Sequence, residues 1–265
     1  MQPMLNIAQR AARQAGDLIL RYVERVDTLS ITAKQQNDFV TEIDRRAEEI
    51  IVRALRRAYP SHAILAEESG SQVGDDFCWI IDPLDGTTNF LHGFPQFSVS
   101  IALRHRDRLE QAVVYDPLRQ EMFLASQGGG ARLNDRRMRV SKRQGLTGAL
   151  LGTGFPYRDH RFLDAYLAMF RDLLLETSGI RRAGSAALDL AYVAAGRLDG
   201  FWEIGLKPWD MAAGALLIQE AGGTAVDFGG GHRFLDSGNI VAANPKLLQA
   251  LLAHIGRHRP PELAA

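Results

Sequence analysis

The 265-residue chain contains one cysteine, Cys78, so it can form neither an internal disulfide nor a cysteine-based zinc cluster. That usage fits a reducing cytoplasm. Cys78 sits in the apolar segment 77–81 and reads as a buried, inert thiol. No run of about 18 apolar residues occurs, which excludes a membrane-spanning helix. Residues 1–14 have basic residues in an amphipathic pattern and no continuous apolar stretch, so they do not read as a signal peptide. Charge of neither sign prevails: 31 Lys+Arg oppose 31 Asp+Glu. A chain whose whole surface grips nucleic acid is therefore excluded, while local patches are not. The common catalytic signatures are missing too. There is no G-x-S-x-G elbow, no Walker A loop and no H-E-x-x-H, and Gly152-Thr153-Gly154 lacks the third glycine of a dinucleotide loop.

What is present is the composition of a globular protein, 46% hydrophobic and 23% charged. Leu5, Ala8, Ala12, Ala15, Ile19, Tyr22 and Val26 recur at helical spacing, as do Ile43, Ala47, Ile50, Ile51, Ala54, Leu55 and Ala58 before Pro60. The polar stretch 34–38 between them reads as a loop. Segments 63–67, 77–82, 97–104, 111–115 and 121–125 read as strands, the last two joined by an Asp116-Pro117 turn, with two short strands to follow before Val140. Beyond them 150–153, 199–204 and 239–243 read as strands, and 162–175, 185–195, 209–221 and 246–255 as helices. Gly196 stands after one of these helices and Pro245 at the start of another. Residues 259–265 read as frayed. A boundary near 141–147 divides the chain into an N-terminal α+β part, 1–144, and a C-terminal α/β part, 145–265.

Carboxylates cluster where strands end and helices begin. In Asp82-Pro83-Leu84-Asp85-Gly86-Thr87-Thr88-Asn89-Phe90, an apolar strand delivers Asp82 and Pro83 is expected to turn the chain at once. Asp85 then returns to face the same point, and the Leu84 carbonyl is a third oxygen. Gly86 permits close backbone approach, and the N–H groups opening a short helix at Thr87-Thr88 suit a phosphate. Two adjacent carboxylates repel unless a proton or a cation lies between them, and hard oxygen donors favour Mg²⁺. Glu67 and Glu68 end another strand. Asp210 opens a helix rich in small residues, where an isolated Asp would be read as a cap.

These segments resemble the signature motifs of the inositol monophosphatase family. Asp82–Phe90 with its lead-in Trp79-Ile80-Ile81 is similar to the first motif. Trp209-Asp210-Met211-Ala212-Ala213-Gly214, running on to Glu220-Ala221-Gly222-Gly223, is similar to the second. Glu67-Glu68-Ser69 resembles the acidic motif ahead of them. Met4–Ala8, Asn37–Thr41 and Gly184–Tyr192 resemble the bacterial SuhB-type branch in particular. The resemblance covers nearly the whole chain. It implies a layered α-β-α-β-α sandwich of the inositol monophosphatase and fructose bisphosphatase type, and hydrolysis of inositol 1-phosphate with two or three Mg²⁺ ions. It implies that Glu67, Asp82 and the Leu84 carbonyl hold one ion and Asp82, Asp85 and Asp210 a second, Glu67 sharing in a third. It implies that Thr87 with Asp44 orients the attacking water, and that Gly86 and Thr87 bind phosphate. Asp85, Gly184, Ser185, Ala186 and Glu203 then contact substrate hydroxyls, and Lys34 and Asp38 belong to a mobile loop over the site. Lithium inhibition and a homodimer are further family expectations. Animal relatives have histidine where this chain has Lys207, which reads here as a solvated loop lysine.

A phosphomonoester dianion repels hydroxide, and a bound metal relieves that repulsion, so direct attack by metal-activated water needs no Ser, Cys or His nucleophile. Relatives acting on 3′-phosphoadenosine 5′-phosphate, fructose 1,6-bisphosphate or histidinol phosphate mark the competing substrates. A second reading starts from 132–143, where six of twelve residues are basic and one is acidic, and from Arg104, Arg106 and Arg108. Such a face suits a polyanion or protein partner. The SuhB-type resemblance implies contact with Nus factors and RNA polymerase during ribosomal RNA synthesis.

Overall fold

The computed structural model describes residues 3–26, 31–35, 38–156 and 160–264, and the side chains of all of these except 31–40. Its elements run α1 (Pro3–Leu20), β1 (Ile31–Gln35), β2 (Asp38–Thr41), α2 (Glu42–Ala58), β3 (Ala63–Ala66), β4 (Gly70–Gln72), β5 (Phe77–Asp85), α3 (Thr87–Leu91), β6 (Ser98–His105), β7 (Arg108–Asp116), β8 (Glu121–Ser126), β9 (Gly130–Leu133) and β10 (Arg136–Arg137). The second half adds β11 (Leu150–Thr153), α4 (Leu163–Glu176), β12 (Gly179–Arg181), α5 (Ala186–Ala194), β13 (Gly200–Glu203), α6 (Pro208–Glu220), β14 (Thr224–Val226), α7 (Phe234–Ser237), β15 (Ile240–Ala243) and α8 (Pro245–His258). One sheet is ordered β10-β9-β8-β7-β6-β5-β3-β4 and the other β12-β11-β13-β15-β14.

The layers follow from period-2 alternation in strands covered on both faces. Trp79, Ile81, Val99, Ile101, Val113, Tyr115 and Leu124 point into the core under α1 and α2. Ile80, Ala102, Ala112, Val114, Phe123 and Ala125 point the other way, onto α5 and α6. Those two helices also touch the second sheet, and its far face is covered by α4 and α8 through Leu173, Trp202, Val241 and Leu251. The order is therefore α-β-α-β-α, as the family resemblance implies. Close approach of α5 and α6 depends on Gly214, where a Cβ would collide with the Leu190 side chain.

Several local expectations are corrected. Pro83 does not turn the chain: β5 continues to Asp85, and a bulge against Ser98 and Ser100 of β6 absorbs the proline. Lys34, Gln35 and Asp38 of the expected loop lie in strands instead, because β1 and β2 pair antiparallel with Gln35 opposite Asp38; residues 36–37 lie outside the described residues. The first helix ends at Leu20, short of Tyr22 and Val26. The C-terminal stretch is docked rather than frayed through residue 264: Leu263 is buried, and Arg259 Nη1 donates to the Phe228 carbonyl at 2.5 Å. Cys78 is half-buried, with burial pushing its thiol up. The short strands β4, β12 and β14 have no counterpart in the sequence reading.

Candidate active site

Two sheet ends and three helix starts, those of α3, α5 and α6, meet at one cleft of about 550 Å³. Among its lining residues are Glu67, Asp82, Leu84, Asp85, Gly86, Thr87, Gly184, Ser185, Ala186, Glu203 and Asp210, drawn from positions up to 143 residues apart (67 to 210). The bulge explains the spacing of the first two aspartates. Asp82 and Asp85 pair with Ser100 and Ser98 respectively, so both stand at the C-terminal end of β5, at the same end of the sheet. Asp82 Oδ1 accepts from the Leu84 N–H at 3.0 Å. Asp85 Oδ2 is clamped across the cleft by the Ser185 hydroxyl at 2.5 Å and the Ala187 N–H at 2.8 Å. Asp210, in the first turn of α6, accepts from the Lys207 N–H at 2.7 Å. Lys207 itself is exposed.

Asp82, Asp85 and Asp210 each offer a ligand oxygen, all within 4.8 Å of one another. Burial, then the neighbouring Glu67, Asp85 and Asp210 carboxylates, push the Asp82 carboxyl well above the usual range against the Leu84 N–H. Burial pushes Asp85 up to about 6, against the Ser185 and Ala187 hydrogen bonds. Hard-oxygen donors this close, unable to ionise together cheaply, have the chemistry of a divalent-cation site. Glu67 lines the same cleft, and its turn is held from behind by buried Glu48, which accepts from the Glu68 and Ser69 N–H groups at 2.8 Å each.

Thr87 Oγ1 lies 2.8 Å from Asp44 Oδ1 and 3.1 Å from the Leu84 carbonyl, and its single proton can serve one of them at a time. Asp44 stands behind Thr87, outside the cleft lining. It closes the capping box of α2 by accepting from the Thr41 N–H at 2.8 Å and the Thr41 hydroxyl at 2.5 Å. Burial raises its pKa, and these bonds oppose the rise. Gly86 has φ +97°, where a Cβ would lie 2.9 Å from the Gln96 carbonyl, so only glycine fits the turn into α3. The backbones of Lys34 and Asp38 belong to the β1–β2 hairpin, and their side chains lie outside the described residues.

The family model for the inositol monophosphatase family matches residues 1–259. The chain belongs to the inositol monophosphatase family. It is 63% identical to the Nus factor SuhB of Pseudomonas aeruginosa, over 99% of each chain. Among solved structures it is similar to the extragenic suppressor protein suhB of Bartonella henselae, with TM-score 0.93 and 44% identity over 96% of this chain and 98% of that one. It is also similar to an inositol monophosphatase from Anabaena, with TM-score 0.84 and 38% identity over 97% and 96%. Family membership accounts for the two sheets and for the motif carboxylates. Sequence reasoning assigned no role to Asn89, Gly154, Phe155, Arg182 or Asp189, all of which line the cleft. Asn89 Nδ2 donates to the Gln96 carbonyl at 2.7 Å and the Ala183 carbonyl at 2.8 Å, joining the first motif to the entry of α5. Its place inside the motif was the one available signal.

Proposed function

We propose that the protein is a Mg²⁺-dependent phosphomonoesterase that hydrolyses inositol 1-phosphate to inositol and phosphate. The observation that carries this reading is the Asp82, Asp85 and Asp210 oxygen cluster with the Thr87–Asp44 pair beside it. The donor set fits magnesium: it is all oxygen, buried, and strained electrostatically without a cation. Glu67, Asp82, the Leu84 carbonyl, Asp85 and Asp210 are the residues that would hold two or three ions. When bound, Mg²⁺ neutralises the phosphate dianion, acidifies water and stabilises the leaving alkoxide. Thr87, donating to Asp44, keeps its oxygen lone pairs for the O–H of the attacking water. The Gly86 and Thr87 N–H groups receive phosphate oxygens. Residues 1–144 supply Glu67, Asp82 and Asp85, and residues 145–265 supply Asp210 and the wall that meets the polyol.

The test is phosphate release from inositol 1-phosphate by purified protein. Activity should require Mg²⁺, fall with Li⁺ and vanish in Asp85→Asn. Full turnover in excess chelator would reject the reading. Faster turnover of 3′-phosphoadenosine 5′-phosphate, fructose 1,6-bisphosphate or histidinol phosphate would replace the substrate.

A homodimer is part of the same reading. Leu167, Leu174 and Leu175 on α4 are large apolar side chains left 50%, 46% and 75% exposed, near the open edge strand β12.

A second role is supported by the relatives named Nus factor SuhB and by one exposed feature. Arg132, Arg136, Arg137, Arg139 and Lys142 are all exposed along and beyond the β9–β10 edge. That edge suits contact with Nus factors or RNA polymerase in the cytoplasm. Arg104, Arg106 and Arg108 stand apart at the β6–β7 turn, where Arg106 pairs with Asp76 at 3.0 Å. No described helix is long and apolar enough to cross a membrane.

A further inference from the structure

Ser185 spends its one proton on Asp85, so toward a substrate hydroxyl it can only accept. The wall of the cleft supplies two other carboxyls, Glu203 and Asp189. Asp189 lies one turn into α5, its N–H donating to the Ser185 carbonyl at 3.0 Å. It is 2% exposed, and that remnant belongs to the cleft lining. Among the described residues its carboxyl receives no hydrogen bond; Asp85 and Arg182 act on it by charge alone. Gly154 makes the room for Glu203, because a Cβ there would collide with the Glu203 carboxyl, while Asp189 Cβ stands at ordinary contact distance, 3.6 Å, from where a Cβ at Gly152 would lie. Gly154, which opens no dinucleotide loop, thus lets the Glu203 carboxyl lie just past the end of β11.

We infer that Asp189 is a specificity-determining residue, its carboxyl acting with that of Glu203 to receive hydroxyl groups of a polyol phosphate. The inference rests on the polyol phosphatase reading above. A carboxyl open only to the cleft and without a protein donor is poorly solvated, and an arriving O–H group supplies the hydrogen bond it lacks. A phosphate ester with an aromatic leaving group offers no such O–H. Burial, with Asp85 adding to it and Arg182 opposing, pushes the Asp189 carboxyl up.

The experiment compares kcat/KM for inositol 1-phosphate and for 4-nitrophenyl phosphate in wild type, Asp189→Leu and Asp189→Asn, each with Mg²⁺. Leucine keeps the branched shape and removes the carboxyl but is larger, so thermal melting must show a folded protein before the kinetics are compared. The ratio of inositol 1-phosphate to 4-nitrophenyl phosphate should fall about tenfold in Asp189→Leu, through KM, because a site built for a hydroxyl loses its partner. Asp189→Asn, which still donates and accepts, should stay within about threefold of wild type. An unchanged ratio in Asp189→Leu, or an equal loss on both substrates, overturns the role of Asp189 and leaves the phosphatase reading intact. A wild-type protein that turns over only 4-nitrophenyl phosphate overturns both.

Discussion

Thr87 Oγ1 donates to Asp44 Oδ1 at 2.8 Å, joining two residues 43 positions apart in the chain. Asp44 is fixed by the α2 capping box and Thr87 by the first turn of α3, so neither partner is placed by the other. If the pair orients water, Thr87→Ala and Asp44→Asn should each lower kcat by roughly 10²–10⁴-fold with little change in KM, the range for a positioned proton acceptor. Steady-state kinetics with Mg²⁺ in excess measures this. Wild-type kcat in Asp44→Asn would remove the pair from the reaction.

Stability without metal should show an inverted pH dependence. Asp85 is pushed up to about 6 from 3.8, so between those values the folded protein holds a proton that the unfolded chain has released. Its contribution is complete at low pH and is lost as pH rises through 6. Going from pH 5 to 7.5 in excess chelator, Asp85 should therefore remove on the order of 1 kcal/mol. His62, whose pKa is lowered by burial, works in the opposite direction. The informative quantity is therefore the difference between wild type and Asp85→Asn, which should have a flatter melting curve against pH. Added Mg²⁺ should raise the wild-type melting temperature most at pH 7.5. Identical pH profiles for the two proteins would argue against the carboxylate cluster as the source.

The basic edge should be separable from the cleft. Strand β10 lies five strand spacings from β5, about 24 Å at a spacing of roughly 4.8 Å and beyond the Debye length at physiological salt. Reversing charge at Arg136, Arg137 and Arg139 together should weaken a salt-sensitive complex with Nus factors or RNA polymerase at least tenfold, while phosphate release is unchanged. Binding assays at two salt concentrations decide it. A complex insensitive to both salt and charge reversal would assign the contact to another face.

Asn89→Ala should cost stability as well as activity. Its amide satisfies the Gln96 and Ala183 carbonyls, and removing it leaves two acceptors poorly paired, a loss of about 1–3 kcal/mol. Denaturant unfolding reads this directly. A melt equal to wild type would mean that water replaces the amide at no cost.

The legible parts were those written in adjacent residues. Strand β11 falls at the expected 150–153, and Pro245 begins α8 behind Asn244, whose side chain accepts from the Lys246 and Leu247 N–H groups. The motif carboxylates were legible because Asp82, Asp85 and Asp210 each stand inside a distinctive local segment. Pro83 misled because the bulge that accommodates it exists only against β6. Asp189 was silent because a carboxylate in a first helical turn reads as a cap or a solvated group. Its burial depends on the cleft wall that distant segments build around it, Thr153 and Glu203 among them. Segments as short as β12 and β14 carry too few residues for any period to appear.

Helix α6 places Met211, Ala212, Ala213 and Leu216 in the core that it shares with Ile80, Ala102, Val114 and Phe123 of the first sheet. During synthesis, α5 can cover only part of that face, and the rest stays open to water until α6 has left the ribosome. Asp210 emerges on the same helix. Closing the sheet and completing the carboxylate cluster are therefore one event, late in translation. A chain cut short before it should be a client for chaperones and proteases rather than a folded remnant that sequesters cations.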